Sequence, residues 1–219
     1  MNYDLILFDL DGTLTDPTSG LCRSYRYALE KMGVDYGTYE SLSRYIGPPL
    51  VSTWMEEYGF SKEEAEHALA LFREFFGEHG WHDNRLFEGV GSVLATLRAA
   101  GKRISLATSK PSIYAEKILD LFGLTQYFDF IGAADLVGTR DEKWEVIEYV
   151  LEKFPDVPRE RVVIVGDRRF DCEGARRTGI SALGVLYGCG SREELEAAGF
   201  DMLCERVEDI ATTLLGESD

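Results

Sequence analysis

Asp9 and Asp11 stand one residue apart, directly after the apolar run Leu5-Ile6-Leu7-Phe8 and directly before Gly12-Thr13. Two carboxylates this close repel each other and are costly to hold unless a cation joins them. Beside such a cation a carboxylate can serve as a nucleophile. Thr108-Ser109-Lys110 and Gly166-Asp167 also follow apolar runs, and Asp171 comes four residues after Asp167. Lys143 stands at the start of a helical pattern ahead of that last run. Hydroxyl, ammonium and carboxylates together have the composition of a site that holds Mg²⁺ and an anionic substrate.

These residues need elements to bring them together. Residues 5–8 read as a strand buried on both faces, ended by the turn at Gly12. Residues 17–84 carry helical periodicity instead. Leu21, Tyr25, Ala28, Leu29 and Met32 recur at helical intervals up to Gly33, and Ser61 with Glu64 has the form of a capping box. Gly47-Pro48-Pro49 reads as a rigid loop between helical pieces. From residue 85 the pattern alternates, with strands expected at 103–107, 128–132, 162–165, 182–186 and 202–204. Helices are expected between them, including 113–122 and 142–154. The prediction is an α/β fold: a Rossmann-like parallel-sheet core from residues 1–15 and 85–219, with an all-helical insert at 16–84. Parallel strands carry all their C-terminal tips to one edge, where open α/β sheets bind ligands.

The bulk numbers narrow the partners. A net charge of -16 over 219 residues argues against a nucleic acid polymer or an anionic membrane. An anionic substrate therefore requires local cations. No apolar run reaches the length of a membrane span, and the N-terminus enters a strand without a signal-peptide pattern, so a cytoplasmic location is expected. Cys22, Cys172, Cys189 and Cys204 lack CxxC spacing and read as free thiols. His79 and His82 lie in a polar, Gly-rich stretch and read as a solvated helix end.

Taken together, Asp9-Leu10-Asp11-Gly12-Thr13, Leu106-Ala107-Thr108, Lys143 and Gly166-Asp167-Arg168-Arg169-Phe170-Asp171 resemble the four motifs of the haloacid dehalogenase superfamily in its phosphatase form. Their order, spacing and strand context agree over essentially the whole chain. The resemblance implies that Asp9 is the nucleophile that becomes an aspartyl phosphate. It implies that Asp11 protonates the leaving alkoxide and then activates water, its main-chain carbonyl also ligating Mg²⁺. Thr108 and the Ser109 amide would bind phosphoryl oxygens, and Gly12 would let the backbone turn sharply beside them. Lys143 would neutralise the phosphoryl charge and hold Asp9. Asp167 would join Asp9 on Mg²⁺, with Asp171 as direct or water-mediated support. Lys143 is followed by Trp144 where related phosphatases commonly carry proline, which leaves Lys110 and Arg140 as alternatives for the cation. Thr108 and Asp171 also read as helix caps.

The helical insert resembles the family's C1-type cap. Tyr45-Ile46-Gly47-Pro48-Pro49-Leu50 and Ala107-Thr108-Ser109-Lys110-Pro111 are similar to segments of phosphoglycolate phosphatase-like and 5′-nucleotidase-like proteins. The implied substrate is a small phosphorylated metabolite, phosphoglycolate or a nucleoside monophosphate, acted on by a monomer or small homo-oligomer. Arg23, Tyr27 and Arg44 are candidates for contacting it. Two alternatives stay open: a phosphomutase resembling β-phosphoglucomutase, and a phosphate-binding or phospho-receiver module. The acid at Asp11 and the large insert speak against the receiver.

Overall fold

The computed structural model describes residues 3–38, 41–42, 46, 50–135, 140 and 142–216. Arg44, Tyr45 and Gly47-Pro48-Pro49 lie outside them. The chain divides into two compact units, Met1–Asp16 with Leu86–Asp219, and Pro17–Arg85.

The first unit is built on a six-stranded sheet. Its strands are β1 (Leu5–Phe8), β4 (Arg103–Pro111), β5 (Phe130–Ala134), β6 (Val162–Gly166), β7 (Ser181–Val185) and β8 (Met202–Cys204). Their order is β5-β4-β1-β6-β7-β8, and every neighbouring pair is parallel. A short pair, β2 (Thr15–Asp16) and β3 (Arg85–Leu86), forms a separate two-stranded sheet. β1 is central, which explains why its side chains are apolar without alternation: Leu5, Ile6, Leu7 and Phe8 are all fully buried. After β1 the chain builds outward through β4 and β5, then returns to lay β6 on the other side of β1. This reversal opens a crevice at the C-terminal tips beside β1.

Helices α4 (Val90–Ala99), α5 (Ser112–Leu121), α6 (Lys143–Leu151), α7 (Arg169–Thr178), α8 (Arg192–Ala198) and α9 (Asp209–Leu215) complete this unit. Val146, Ile147 and Val150 of α6 and Ala175 of α7 join Leu5, Leu7, Val162 and Ile164 in one apolar core. Gly174 lets α7 approach the first turn of α6: a Cβ there would lie 3.0 Å from Lys143 Cγ and 3.3 Å from Trp144 N. Glycine therefore sets how deeply the start of α6 sits, and Lys143 is its first residue.

Two strands depart from the sequence expectation by two residues or more. β4 runs on to Pro111 through a register shift between Thr108 and Pro111. β5 starts at Phe130, two residues late. Before it, the Asp129 carboxylate accepts the Ile104 N–H at 2.8 Å and pairs with Arg98 at 2.6 Å. The Asp129 N–H donates back to Ile104 O at 2.7 Å, so a side-chain acceptor stands in for one carbonyl of the ladder.

The second unit contains α1 (Thr18–Lys31), α2 (Leu50–Tyr58) and α3 (Lys62–Phe75), followed by a π-helical turn at Phe76–Gly80. Tyr25, Trp54 and Phe72 meet edge-on or tilted at its centre. Ser61 Oγ accepts the Glu64 N–H while the Ser61 N–H donates to the Glu64 carboxylate, so the capping box forms. His79 packs on Phe75 and His82 on Trp81. Among the described residues no helix is long and apolar enough to cross a membrane.

Candidate active site

The loop after β1 is wound tightly. The Asp9 N–H donates to Val165 O at 2.9 Å, which prolongs the pairing with β6 by one residue. The N–H groups of Leu14 and Thr15 then donate back to Leu10 O, and that of Gly12 to Thr15 O. Gly12 sits at φ +80°, a conformation side chains resist. A Cβ at Gly12 would lie 2.0 Å from Asp167 Oδ2, so only hydrogen fits between the two tips.

Three carboxylates converge there. Asp9, Asp167 and Asp171 each offer an oxygen within 4.8 Å of the others, and all three residues are buried. Lys143 Nζ lies 2.9 Å from Asp9 Oδ1 and 2.9 Å from Asp171 Oδ1, and it also donates to Ala107 O at 3.1 Å. Of the three candidate cations, Lys143 is the one on Asp9. Arg140 instead lies over the Tyr149 ring and near Asp135. Lys110 reaches the other acid, with Nζ 2.5 Å from Asp11 Oδ2. Asp11 Oδ1 is buried and has no hydrogen-bond partner among the described residues.

Asp171 is a helix cap that also faces the site. Its Oδ2 accepts the Arg168 N–H at 3.1 Å in the first turn of α7, while Oδ1 faces Lys143. Thr108 is not the residue before α5, a position Pro111 occupies. It is buried inside β4, and its hydroxyl accepts the Lys110 N–H at 3.2 Å. Ser109 beside it is exposed. Arg168 is drawn back by Glu194, with Nε 2.9 Å from Oε1.

The electrostatics follow from burial. Asp167 has no exposed surface; its carboxyl is pushed up to about 8 by that burial, then by the charges of Asp171 and Asp9. Burial also raises Asp171, opposed by Lys143 and reinforced by Asp9. For Lys143, burial favours the neutral amine, but the Asp171 and Asp9 carboxylates outweigh it and hold the ammonium above its ordinary range. With all four acids ionised, four carboxylates would face two ammoniums, a shortfall of two positive charges. Oxygen donors alone and a deficit of two fit a hard divalent cation such as Mg²⁺.

The loop after β7 contributes groups that reading the sequence missed. The Cys189 N–H donates to Asp167 Oδ2 at 2.7 Å, and Tyr187 Oη donates to Thr13 O at 2.8 Å. The only sequence signal was Gly188-Cys189-Gly190 at a strand tip.

In the second unit, Tyr27 donates its hydroxyl to Glu74 at 2.7 Å, and Arg23 pairs with Asp83 at 2.8 Å while lying over Phe75. Both candidate specificity residues thus have partners within their own unit.

Comparison with known proteins agrees with this architecture. The family model described as haloacid dehalogenase-like hydrolase matches residues 6–185. A 5′-nucleotidase of Pseudomonas aeruginosa is 40% identical over 90% of this chain and 89% of its own length. The tyrosine-protein kinase PtkA of Mycobacterium tuberculosis is 38% identical over 88% of this chain and 65% of its own. A crystal structure of a predicted phosphatase from Clostridium acetobutylicum superposes with a TM-score of 0.92 at 35% identity, covering 98% of this chain and 99% of that one.

Proposed function

Since the chain belongs to the haloacid dehalogenase-like hydrolase family, we propose that it is a Mg²⁺-dependent phosphatase acting on a small phosphate monoester through an aspartyl-phosphate intermediate. The observation that carries the reading is Lys143 seated between Asp9 and Asp171 with Asp167 beside them. Bound Mg²⁺ would be held by Asp9 and Asp167, with Asp171 in support, and would withdraw charge from the phosphoryl oxygens.

The chain's own groups then divide the work. A carboxylate oxygen of Asp9 forms a bond to phosphorus as the bond to the leaving alkoxide breaks. Asp11, protonated, gives its proton to that alkoxide. As a carboxylate it next takes a proton from water, which attacks the phosphorus and releases phosphate from Asp9. Lys143 pairs with the Asp9 carboxylate and keeps it aimed. The Thr108 hydroxyl and the Ser109 amide are the proposed donors to the phosphoryl oxygens.

The substrate we place first is a nucleoside monophosphate, on the likeness to the Pseudomonas 5′-nucleotidase, with phosphoglycolate next. The helical unit would act as the cap that selects between them. The test is phosphate release, with and without Mg²⁺, across nucleoside monophosphates, phosphoglycolate, sugar phosphates and phosphotyrosine. Mg²⁺-dependent release from a nucleoside monophosphate supports the reading. Release from no member of the panel overturns it, and sugar-phosphate isomerisation without free phosphate points to the mutase.

A further inference from the structure

On the side away from Asp9 and Asp171, backbone packs closely around Asp167. A Cβ on Gly188 would lie 2.4 Å from Asp167 Cβ and 2.4 Å from Gly12 O, and one on Gly190 would lie 2.1 Å from Asp167 O. Gly12 closes the other side, 2.0 Å from Oδ2 by the same measure. Between these glycines the Cys189 N–H holds Oδ2 at 2.7 Å. Among the described residues, the other oxygen, Oδ1, has only a long approach from the Thr13 hydroxyl, 3.4 Å. Tyr187 ties the two loops together, its hydroxyl on Thr13 O and its ring against Phe87 at 4.9 Å.

We propose that residues 187–190 form a positioning loop, whose backbone anchors Asp167 Oδ2 and leaves Oδ1 to the metal ion. An unanchored carboxylate must give up its rotation when a cation binds, whereas this one is already oriented. Partners of this kind, one step out from the metal, are worth about 10–100-fold in metal affinity. A side chain at Gly188 or Gly190 forces either Asp167 or the loop to move. The cradle needs no chemistry from the Cys189 side chain; it needs the amide and the two missing Cβ atoms.

The inference rests on Asp167 being a metal ligand, so its test carries that residue as a separate arm. Mg²⁺ binding to the full chain without substrate is measured calorimetrically for wild type, Asp167→Asn, Gly188→Ala, Cys189→Pro and Tyr187→Phe, with a thermal melt of each. Expected are loss of binding in Asp167→Asn and a weakening of about tenfold or more in Gly188→Ala and Cys189→Pro. A smaller weakening is expected in Tyr187→Phe, which keeps the ring. With substrate, kcat in the loop variants should recover at saturating Mg²⁺. Wild-type affinity in Asp167→Asn overturns the ligand reading itself. Lost binding there, with wild-type affinity in folded Gly188→Ala and Cys189→Pro, overturns the positioning loop alone. Should Gly188→Ala fail to fold, Cys189→Pro and Tyr187→Phe decide.

Discussion

Lys143, the first residue of α6, stands 2.9 Å from Asp171 Oδ1 in the first turn of α7. The same ammonium stands at that distance from Asp9, so one cation joins two helices to the tip of the central strand. Removing it leaves buried like charges facing each other. Lys143→Met should cost about 3–5 kcal/mol of stability in the metal-free protein. Urea denaturation checks the figure. A neutral result would mean that neither Asp9 nor Asp171 relies on Lys143 for charge compensation in the metal-free fold.

Asp9→Asn should abolish turnover while the far-ultraviolet circular dichroism spectrum stays that of wild type. The amide is isosteric and retains the oxygen that faces Lys143, but it cannot form the acyl phosphate. Activity near the wild-type level would remove Asp9 as the nucleophile.

Asp11→Asn should separate the two half-reactions. A good leaving group such as 4-nitrophenolate departs without a proton, so a rapid-quench experiment with its phosphate ester should still find phosphoenzyme. Hydrolysis of that species should slow by about 10²–10⁴-fold, the usual contribution of a positioned acid–base group. Unchanged hydrolysis would exclude Asp11 as the base.

The metal-free site should respond to pH through Asp167, whose carboxyl lies at about 8 in the fold against an ordinary 3.8. Between those values the folded protein holds a proton that the unfolded chain has lost. Its contribution to stability is therefore greatest at low pH, declines as pH rises, and is gone above about 8. Asp167→Asn should remove this slope. Mg²⁺ must displace the same proton, so binding at pH 7 should release close to one proton. Calorimetry in buffers of different ionisation heat reads that number directly, and a binding enthalpy independent of buffer would contradict it.

Gly12→Ala should be strongly destabilising although the position is a loop. The change combines a positive φ with a Cβ 2.0 Å from Asp167 Oδ2. The conformational part alone is worth about 1–2 kcal/mol. A melt within a degree of wild type would show that the loop after β1 relaxes easily.

Much of this protein is legible along the chain. The unbroken apolar run 5–8 marks a strand covered on both faces, because a buried central strand has no solvent side to alternate with. The acids that follow such runs are placed by that fact at the binding edge of a parallel sheet. Asp9, Asp11, Thr108, Lys143, Asp167 and Asp171 all stand out on these grounds together with the family resemblance. Their juxtaposition depends on β1, β4 and β6 being neighbours.

What the tertiary structure alone decided is which charge meets which. Lys110 follows an apolar run and Lys143 opens a helix, and both were candidates for the same cation, yet one pairs with Asp11 and the other with Asp9 and Asp171. That choice depends on the shift in β4 after Thr108 and on how closely Gly174 lets α7 approach α6. The cradle around Asp167 was equally hidden. It consists of amides and absent side chains, and a sequence names only the side chains that are present. Local pattern sets where each strand ends; the spacing between segments far apart in the chain sets what their ends touch.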